Sequence, residues 1–374
     1  MVAARRVLTK WGRVPARELL ERHLRDRRLI DLLGSQGVAA PIMGVVLLAQ
    51  MWDFMAEEGI WYPTTGIGAL AEMLAARSEA MGARLALGAR VEALLVDAGR
   101  VEGVRTAGGR RLRAGYVIAD IDQRHALLDL APAGVLSAEA GAEAAERPLS
   151  PSAFTVFLGV ESASVDLSAF KGHQLLVKLR EGDPVPWSFR RPVADDFVAD
   201  ELWLSWWSRH SGPEAAAPPG HETLVLKCVA PIESFLALDG AGRGRHHAAY
   251  YALKEGYADA LVAAADAVIP GLAAATRVRE VATPLTYRDW GHRTEGSIAG
   301  WSWRASDVPE PWARSLVVSP VPGLLHVGLQ AFTRLFAGGL GTAAYSGRSA
   351  ADVVLGGMMG EHENTLLPGG AERV

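Results

Sequence analysis

The stretch from Trp61 to Asp122 constrains the fold most, because its hydrophobic period changes several times within it. Gly66-Ile67-Gly68 opens a helical segment, Ala69–Met81, with Leu70, Met73 and Leu74 on one face and Gly82 as its stop. Arg84–Leu87 reads as a short strand. Val91–Val96 reads as another, and Val101–Thr106 pairs back on it through a turn at Ala98-Gly99. Gly108-Gly109 turns the chain again into Arg111–Arg113. Two-residue turns with glycine between β-branched runs are hairpin signals, because such turns need positive φ. Tyr116–Ala119 shows no polar alternation and reads as a strand buried on both faces, as in a parallel sheet. The cassette is an α/β unit with a hairpin inserted.

Residues 5–34 read as basic amphipathic helices, with Leu19, Leu20, Leu24, Leu29, Leu32 and Leu33 at helical spacing and Gly34 as a C-cap. Val45–Met55 is an apolar helix. Residues 123–150 look helical, with an Ala-rich polar connector. From Ser152 the runs AFTVFLGVE, HQLLVKL, ELWLSWWS and TLVLKCVAP follow one another without long helices, which indicates an antiparallel sheet. Ala248–Ile269 is a long amphipathic helix. Glu280–Tyr287 reads as a strand, Gly323–Gly328 as a buried strand, and Gly338–Leu355 as a Gly-rich turn followed by a helix.

A chain of 374 residues with 49% hydrophobic content can bury a large core, in two domains or one elaborated one. The net charge of -4 gives no basic stripe, so nucleic acid is not expected as a partner. A single cysteine, Cys228, excludes an intrachain disulfide and a Cys-based metal cluster; it reads as a small buried hydrophobe. No secretory signal is visible. The longest apolar run, Val38–Met55, is broken by Pro41 and falls short of the ~18–20 uncharged residues of a spanning helix. The 11 tryptophans suit a large apolar ligand or a membrane surface. A cytoplasmic protein, with peripheral membrane contact as an option, is the expectation.

The strongest chemical signal is GLLHVGLQAFTRLFAGGLGTAAYSGRSAADVVL. Its strand ends at Gly328, and Gly338, Gly339 and Gly341 precede helical residues. Such glycines admit a ligand to a helix N-terminus, or simply allow a tight packing turn. Asp120 and Asp122 close the strand before them, as site groups or as helix caps. His292, Arg293 and Glu295 form a polar cluster between Trp290 and Trp301, suited to acid–base work on an apolar ligand or to plain solvent exposure. No triad, zinc motif or P-loop is visible, His246-His247 reads as surface, and no metal is expected.

The run WYPTTGIGAL, the hairpin, YVIADID, SAFTVFLGVE, YYALKEGYADALVAAADAVIPGL, ATPLTYRDWGHRTEGSIAG and the C-terminal GGLGTAAYSGRSAADVVL together resemble the phytoene desaturase family over about residues 15–356. The resemblance implies an FAD-dependent protein acting on polyenes or other lipophilic substrates. It implies an α/β (mixed α+β) fold: a Rossmann-like FAD domain, here incomplete, plus a substrate domain with a mixed or antiparallel sheet and helices. The expected division is 1–60 and 126–310 as substrate domain, 61–125 and 311–358 as FAD-binding-like, and 359–374 as a flexible tail. The family's strand–GxGxxG–helix unit is not in this sequence, Leu329 stands where many relatives carry a polar residue, and Phe336-Ala337 replace a proline.

Three readings follow. The first is a cofactor-independent isomerase or cyclase of isoprenoid or polyketide natural-product biosynthesis. The second is an FAD-dependent desaturase whose nucleotide-binding unit comes from a partner polypeptide. The third is a non-catalytic protein that binds a lipophilic small molecule. The residues assigned by this reasoning are His292, Glu295 and Asp120 for catalysis; Trp52, Trp61, Arg293, Trp290 and Trp301 for substrate; and, with flavin retained, Val91, Gly328, Gly338, Gly339 and Gly341 for the cofactor.

Overall fold

The structure is a computed structural model that describes residues 7, 9–35, 44–53, 56, 59, 61–178, 201–209, 217–240, 246–302, 307, 313–333 and 338–356. Three short helices come first: α1 (Ala16–His23), α2 (Arg27–Ser35) and α3 (Val45–Asp53). Gly34 lies inside α2, so it is not the cap expected of it. Helix α4 (Gly68–Ala80) follows and ends at Gly82, whose φ of +96° suits a residue without a Cβ. None of its residues is fully buried, and Met73 and Leu74, expected on a covered face, are exposed.

Strands β1 (Val91–Asp97) and β2 (Arg100–Thr106) form the expected hairpin. Ala98 at φ 44° and Gly99 at φ 78° supply the left-handed pair that a tight hairpin turn needs. Strand β3 (Arg111–Arg113) pairs back on β2. Arg84–Leu87 is not a strand: no ladder partner meets it among the described residues, and Leu85 and Leu87 face solvent. Next come β4 (Val117–Ala119), one π-helical turn at His125–Asp129, and α5 (Ala138–Glu146), capped by the Ser137 hydroxyl at 3.2 Å from the Ala140 N–H.

The second half carries β5 (Ser152–Glu161), β6 (Gln174–Lys178), β7 (Glu201–Trp206) and β8 (His221–Ala230). Helices α6 (Glu233–Leu236), α7 (Ala248–Asp266) and α8 (Leu272–Ala275) lead to β9 (Thr276–Ala282) and α9 (Pro284–Asp289). The strand expected over Glu280–Tyr287 therefore stops at Ala282. Thr283 starts a helix instead, because a reciprocal capping box with Thr286 and a proline at the first helical position favour the turn. Strand β10 (Leu324–His326) and α10 (Gly338–Gly356) close the described chain.

The chain divides into two compact units. The first takes the described residues of 1–59, 88–150 and 299–356. In it β4 and β10 run parallel, with Val117, Ile118 and Ala119 opposite Leu324, Leu325 and His326. Leu94, Val101, Ala119, Ala126, Leu127, Leu130, Val321 and Leu324 form its core. The Leu94 N–H donates to Leu130 O at 2.8 Å, which ties the segment after β4 onto the hairpin. That packing groups residues 126–150 with the first unit. The expectation that β4 is buried on both faces is not met: Ile118 is 50% exposed. The outer edge of β10 is bridged by Val318, whereas no described strand pairs with the outer edge of β4.

The second unit takes 60–87 and 151–298. Its five strands form the antiparallel sheet expected from the sequence, in the order β6-β7-β8-β5-β9. Alternate residues of the central strands, among them Phe154, Val156, Leu158, Leu202, Leu204, Leu224 and Leu226, pack under α7 through Tyr257, Ala258 and Leu261. Phe154 stacks on Phe235 and meets Tyr257 edge-on. Cys228 is buried in this layer, as expected, and burial pushes its thiol up to about 12.

The capping residue of α9 is also held from α7, since Tyr250 Oη and Thr283 Oγ1 are 2.8 Å apart. Thr283→Ala should lower unfolding free energy by about 1–2 kcal/mol in chemical denaturation, and Thr283→Ser should restore most of it.

Candidate functional site

Side chains alternate along a strand, so the sheet of the second unit has another face opposite the α7 layer. Its register places Leu176, Trp203, Lys227 and Thr155 side by side across β6, β7, β8 and β5. The adjacent row is Gln174, Ser205, Val225 and Phe157. The two rows interleave apolar Leu176, Trp203, Val225 and Phe157 with polar Gln174, Ser205, Lys227 and Thr155, and Phe157 is 41% exposed. Two of the polar groups have defined partners. Lys227 Nζ lies 5.4 Å from the centroid of the Trp203 ring. Thr155 Oγ1 and Tyr287 Oη are 2.7 Å apart. Burial, then the charge of Arg293, lowers the pKa of Lys227 below the ordinary lysine range. Burial likewise raises that of Tyr287. Apolar side chains interleaved with fixed polar groups can hold and orient a lipophilic ligand.

Helix α9 delivers Tyr287 to this face, and the expected polar loop follows it. Arg293 is half-buried and donates from Nη1 to Ile298 O at 2.8 Å and to Ser297 O at 3.4 Å. The structure thus brings Arg293 into the group of Lys227 and Tyr287. His292 and Glu295 are exposed in the same loop, with φ of 52° and 53°. Left-handed backbone is uncommon outside glycine and is a form of strain that gathers at functional loops. Trp290 and Trp61 are exposed, at 63% and 88%. Lys227, Thr155, Tyr287 and Trp203 were missed in the sequence. The alternation of TLVLKCVAP places Lys227 on the face opposite Cys228, which was the available signal.

The remaining assigned residues lie in the first unit. Asp120 is exposed at the carboxyl end of β4. Asp122 is the cap: its Oδ1 accepts from the Arg124 N–H at 2.9 Å. Gln330 joins the ends of the two parallel strands, accepting from the Gln123 N–H at 2.7 Å and donating to Asp122 Oδ2 at 3.4 Å. Trp301, expected against substrate, is a core residue at 3% exposure, its indole N–H donating to Gln330 O at 2.9 Å. Trp52 is half-buried, with an indole nitrogen that has no hydrogen-bond partner. Val91 is half-buried at the start of β1, beside a register shift.

Gly328 ends β10 at φ 87°. A Cβ there would meet Asp120 Oδ1 at 2.3 Å, so this glycine makes room for Asp120 in the first instance. Its N–H donates to Ser346 Oγ at 2.9 Å, which seats α10 on the strand end. Gly338, Gly339 and Gly341 are already helical, not part of a preceding turn, and leave Leu340 as the one side chain among the first four residues of α10. Phe336-Ala337 lie outside the described residues. Three observations bear on a flavin: the edge of β4 that no described strand shares, the glycine-rich N-terminus of α10, and His326, 1% exposed with neither ring nitrogen hydrogen-bonded. Carboxyl ends of parallel strands beside a helix N-terminus are where nucleotide-type ligands bind, so these residues fit that group.

Burial lowers the His326 pKa from 6.5 to about 4. The unfolded chain therefore binds the extra proton first as pH falls, and stability is lost between those values, by about 3 kcal/mol in total. His326→Leu should flatten that acid limb in unfolding measurements from pH 7 to pH 4.

His246 does not lie on the surface as the sequence suggested. Its side chain is 7% exposed, between Asp239 and Asp289, while His247 is exposed.

Known proteins resemble this chain over most of its length. It is 24% identical over 283 residues to the phytoene desaturase (neurosporene-forming) of Cereibacter sphaeroides, covering 73% of this chain and 50% of that protein. It is 25% identical over 316 residues to the chloroplastic prolycopene isomerase of Daucus carota, covering 83% and 46%. The chain thus spans about half the length of these curated relatives. Among solved structures, an oxidoreductase from Methanosarcina mazei matches with a TM-score of 0.58 and 15% identity, over 90% of this chain and 68% of that one. A putrescine oxidase variant matches with a TM-score of 0.55 and 13% identity, over 92% and 69%. These two likenesses concern the fold alone. The family model for flavin containing amine oxidoreductase matches residues 12–238, well over half of the sequence. The chain belongs to the flavin containing amine oxidoreductase family.

Proposed function

We propose that this protein carries out desaturation or isomerisation of a long lipophilic polyene, with FAD as its cofactor. The observation that carries the reading is the partly buried face of the five-stranded sheet, where Lys227 is desolvated between Trp203 and the Thr155–Tyr287 pair. Family membership and the carotenoid-related names of the relatives support the substrate class. No helix among the described residues is long and apolar enough to cross a membrane.

In this reading Phe157, Val225, Leu176 and Trp203 bind the apolar chain and exclude water from it. Lys227 loses its proton more readily than an exposed lysine, which suits it to accept one from substrate carbon. Tyr287 stays protonated and holds Thr155. Arg293 fixes the loop on which His292 and Glu295 stand as further acid–base groups. In the first unit, the α10 N-terminus with Gly338, Gly339 and Gly341, and the strand ends at Asp120 and Gly328, would hold the flavin. Bound there, a flavin supplies two-electron acceptance.

Cofactor-independent isomerisation or cyclisation is the second reading. Leu329 favours it, because this side chain puts no polar atom at the end of β10 and is the nearest contact of Gly339, at 3.8 Å from its ideal Cβ position. The test is to purify the protein as its source makes it, record its visible spectrum, and mix it anaerobically with phytoene or prolycopene. Retained flavin and a product that forms only with flavin support the first reading. A colourless protein that isomerises prolycopene supports the second. A colourless protein without turnover overturns both.

Lys227→Met should lower kcat/KM on that polyene by about 100-fold with ligand affinity largely kept. The sign for stability is opposite. Below its lowered folded pKa the buried charge is unfavourable, and the penalty is relieved as pH rises toward the ordinary value of 10.5. The variant should therefore be more stable than the parent at pH 7, with the gap closing by pH 10.5 in paired unfolding curves.

A further inference from the structure

Three elements of the second unit converge away from the sheet face. Asp239 follows the short helix α6, His246 precedes α7, and Asp289 is the last residue of α9. One atom from each lies within 4.8 Å of the others. His246 Nδ1 is 3.3 Å from Asp239 Oδ1, and Nε2 is 3.9 Å from Asp289 Oδ2. The side chains of His246 and Asp289 are 7% and 9% exposed, that of Asp239 24%.

Arg288 explains why these atoms are left over. Its guanidinium takes Asp239 Oδ2 at 2.6 Å and Asp289 Oδ1 at 2.6 Å. Each carboxylate thereby spends one oxygen on the arginine and turns the other toward the histidine. Asp239 Oδ1, Asp289 Oδ2 and His246 Nδ1 are all buried and have no hydrogen-bond partner. Buried polar atoms without partners are costly, and three of them in one cluster call for a shared occupant. Two carboxylates and one guanidinium leave one negative charge uncompensated when the imidazole is neutral. The missing partner is a cation.

We propose that Asp239, His246 and Asp289 bind a divalent transition-metal ion of the zinc class. One imidazole nitrogen with two carboxylate oxygens is a donor set such ions accept, with a fourth position left for water. Bonds of about 2.0–2.2 Å put tetrahedral ligand atoms roughly 3.3–3.5 Å apart, so with Nδ1 as the ligand the Asp239 pair at 3.3 Å needs little adjustment, while Asp289, whose Oδ2 lies nearer the other ring nitrogen, has to close in as the imidazole turns. The supporting groups are in place. The imidazole lies against the Tyr250 ring at 4.0 Å between centroids, and Tyr250 Oη pairs with Thr283 at the start of α9. Arg288 orients both carboxylates, as outer partners of metal ligands do. The ion ties the α6 loop and the start of α7 to the end of α9, the helix that presents Tyr287 at the sheet face.

The test uses the whole protein, dialysed against chelator and titrated with Zn2+ by calorimetry, then with Co2+ as a spectroscopic probe. One equivalent per chain is expected, with the strong visible bands of cobalt in fewer than six ligands and a raised melting temperature. Asp289→Asn and His246→Ala should each weaken binding by more than about 100-fold, and His247→Ala should leave it unchanged. Far-ultraviolet circular dichroism checks that the variants fold. If the parent binds no Zn2+, or if His246→Ala keeps full affinity, the site is refuted. The cobalt spectrum of the parent decides the matter even if both variants fail to fold.

Discussion

The alternation of β5 is the constraint on which the second unit depends. This strand lies between β8 and β9, and its even-numbered residues Phe154, Val156 and Leu158 fill the layer under α7. Its odd-numbered residues then have no choice of face: Thr155 and Phe157 must stand on the other side. A one-residue slip would drive Thr155 into the aromatic layer of Phe235 and Tyr257 and expose Phe154. The core that fixes the register therefore also fixes the candidate site. A buried phenylalanine at 154 is in this sense what puts a hydroxyl at 155 within reach of Tyr287.

The same coupling continues through the short helix α9. Thr283 begins it, Tyr287 reaches the sheet face from its middle, and Asp289 ends it beside His246. Residues within a seven-residue span thus serve the core, the sheet face and a buried ionic cluster. The capping box is a small local device, but it sets the phase of all three. A strand carried through to Tyr287 would have kept the pattern of Glu280–Tyr287 and lost this arrangement.

Period and turn chemistry made most of the architecture legible. The hairpin of β1 and β2 was readable because Ala98-Gly99 and Gly108-Gly109 are local signals. The antiparallel sheet was readable because its strands follow one another directly. Misreadings arose where a neighbour far along the chain decides the outcome. Leu85 and Leu87 look like strand residues but find no ladder. Ile118 looks doubly buried because its run is uniformly apolar, yet one side of β4 has no described strand beside it. His246 looks like surface because its nearest neighbours in sequence are polar, and nothing local announces Asp239 and Asp289. Lys227 was visible only as a charge inside an apolar run. The alternation that buries Cys228 assigns it to the opposite face, where the lysine stem lies along Trp203 and its charge is partly desolvated.

The edge of β4 that no described strand shares and the glycine-rich start of α10 bear on the flavin question together. An edge strand exposes a row of N–H and C=O groups, and parallel strands are stable mainly when both edges and both faces are covered. Ile118, half exposed in the middle of a three-residue strand, is the face counterpart of that missing edge partner. Were the parallel pair only a packing device, a charged or proline-bearing β4 would be the simplest sequence to expect at such an edge. The chain instead keeps Val117-Ile118-Ala119 apolar and ends it on an acidic residue that Gly328 is shaped to receive. An apolar strand whose edge no described strand shares has the character of an inner strand, and inner parallel strands are those whose carboxyl ends line a nucleotide site. That is the physical reason to favour a flavin-binding role for this end of the first unit over a purely structural one.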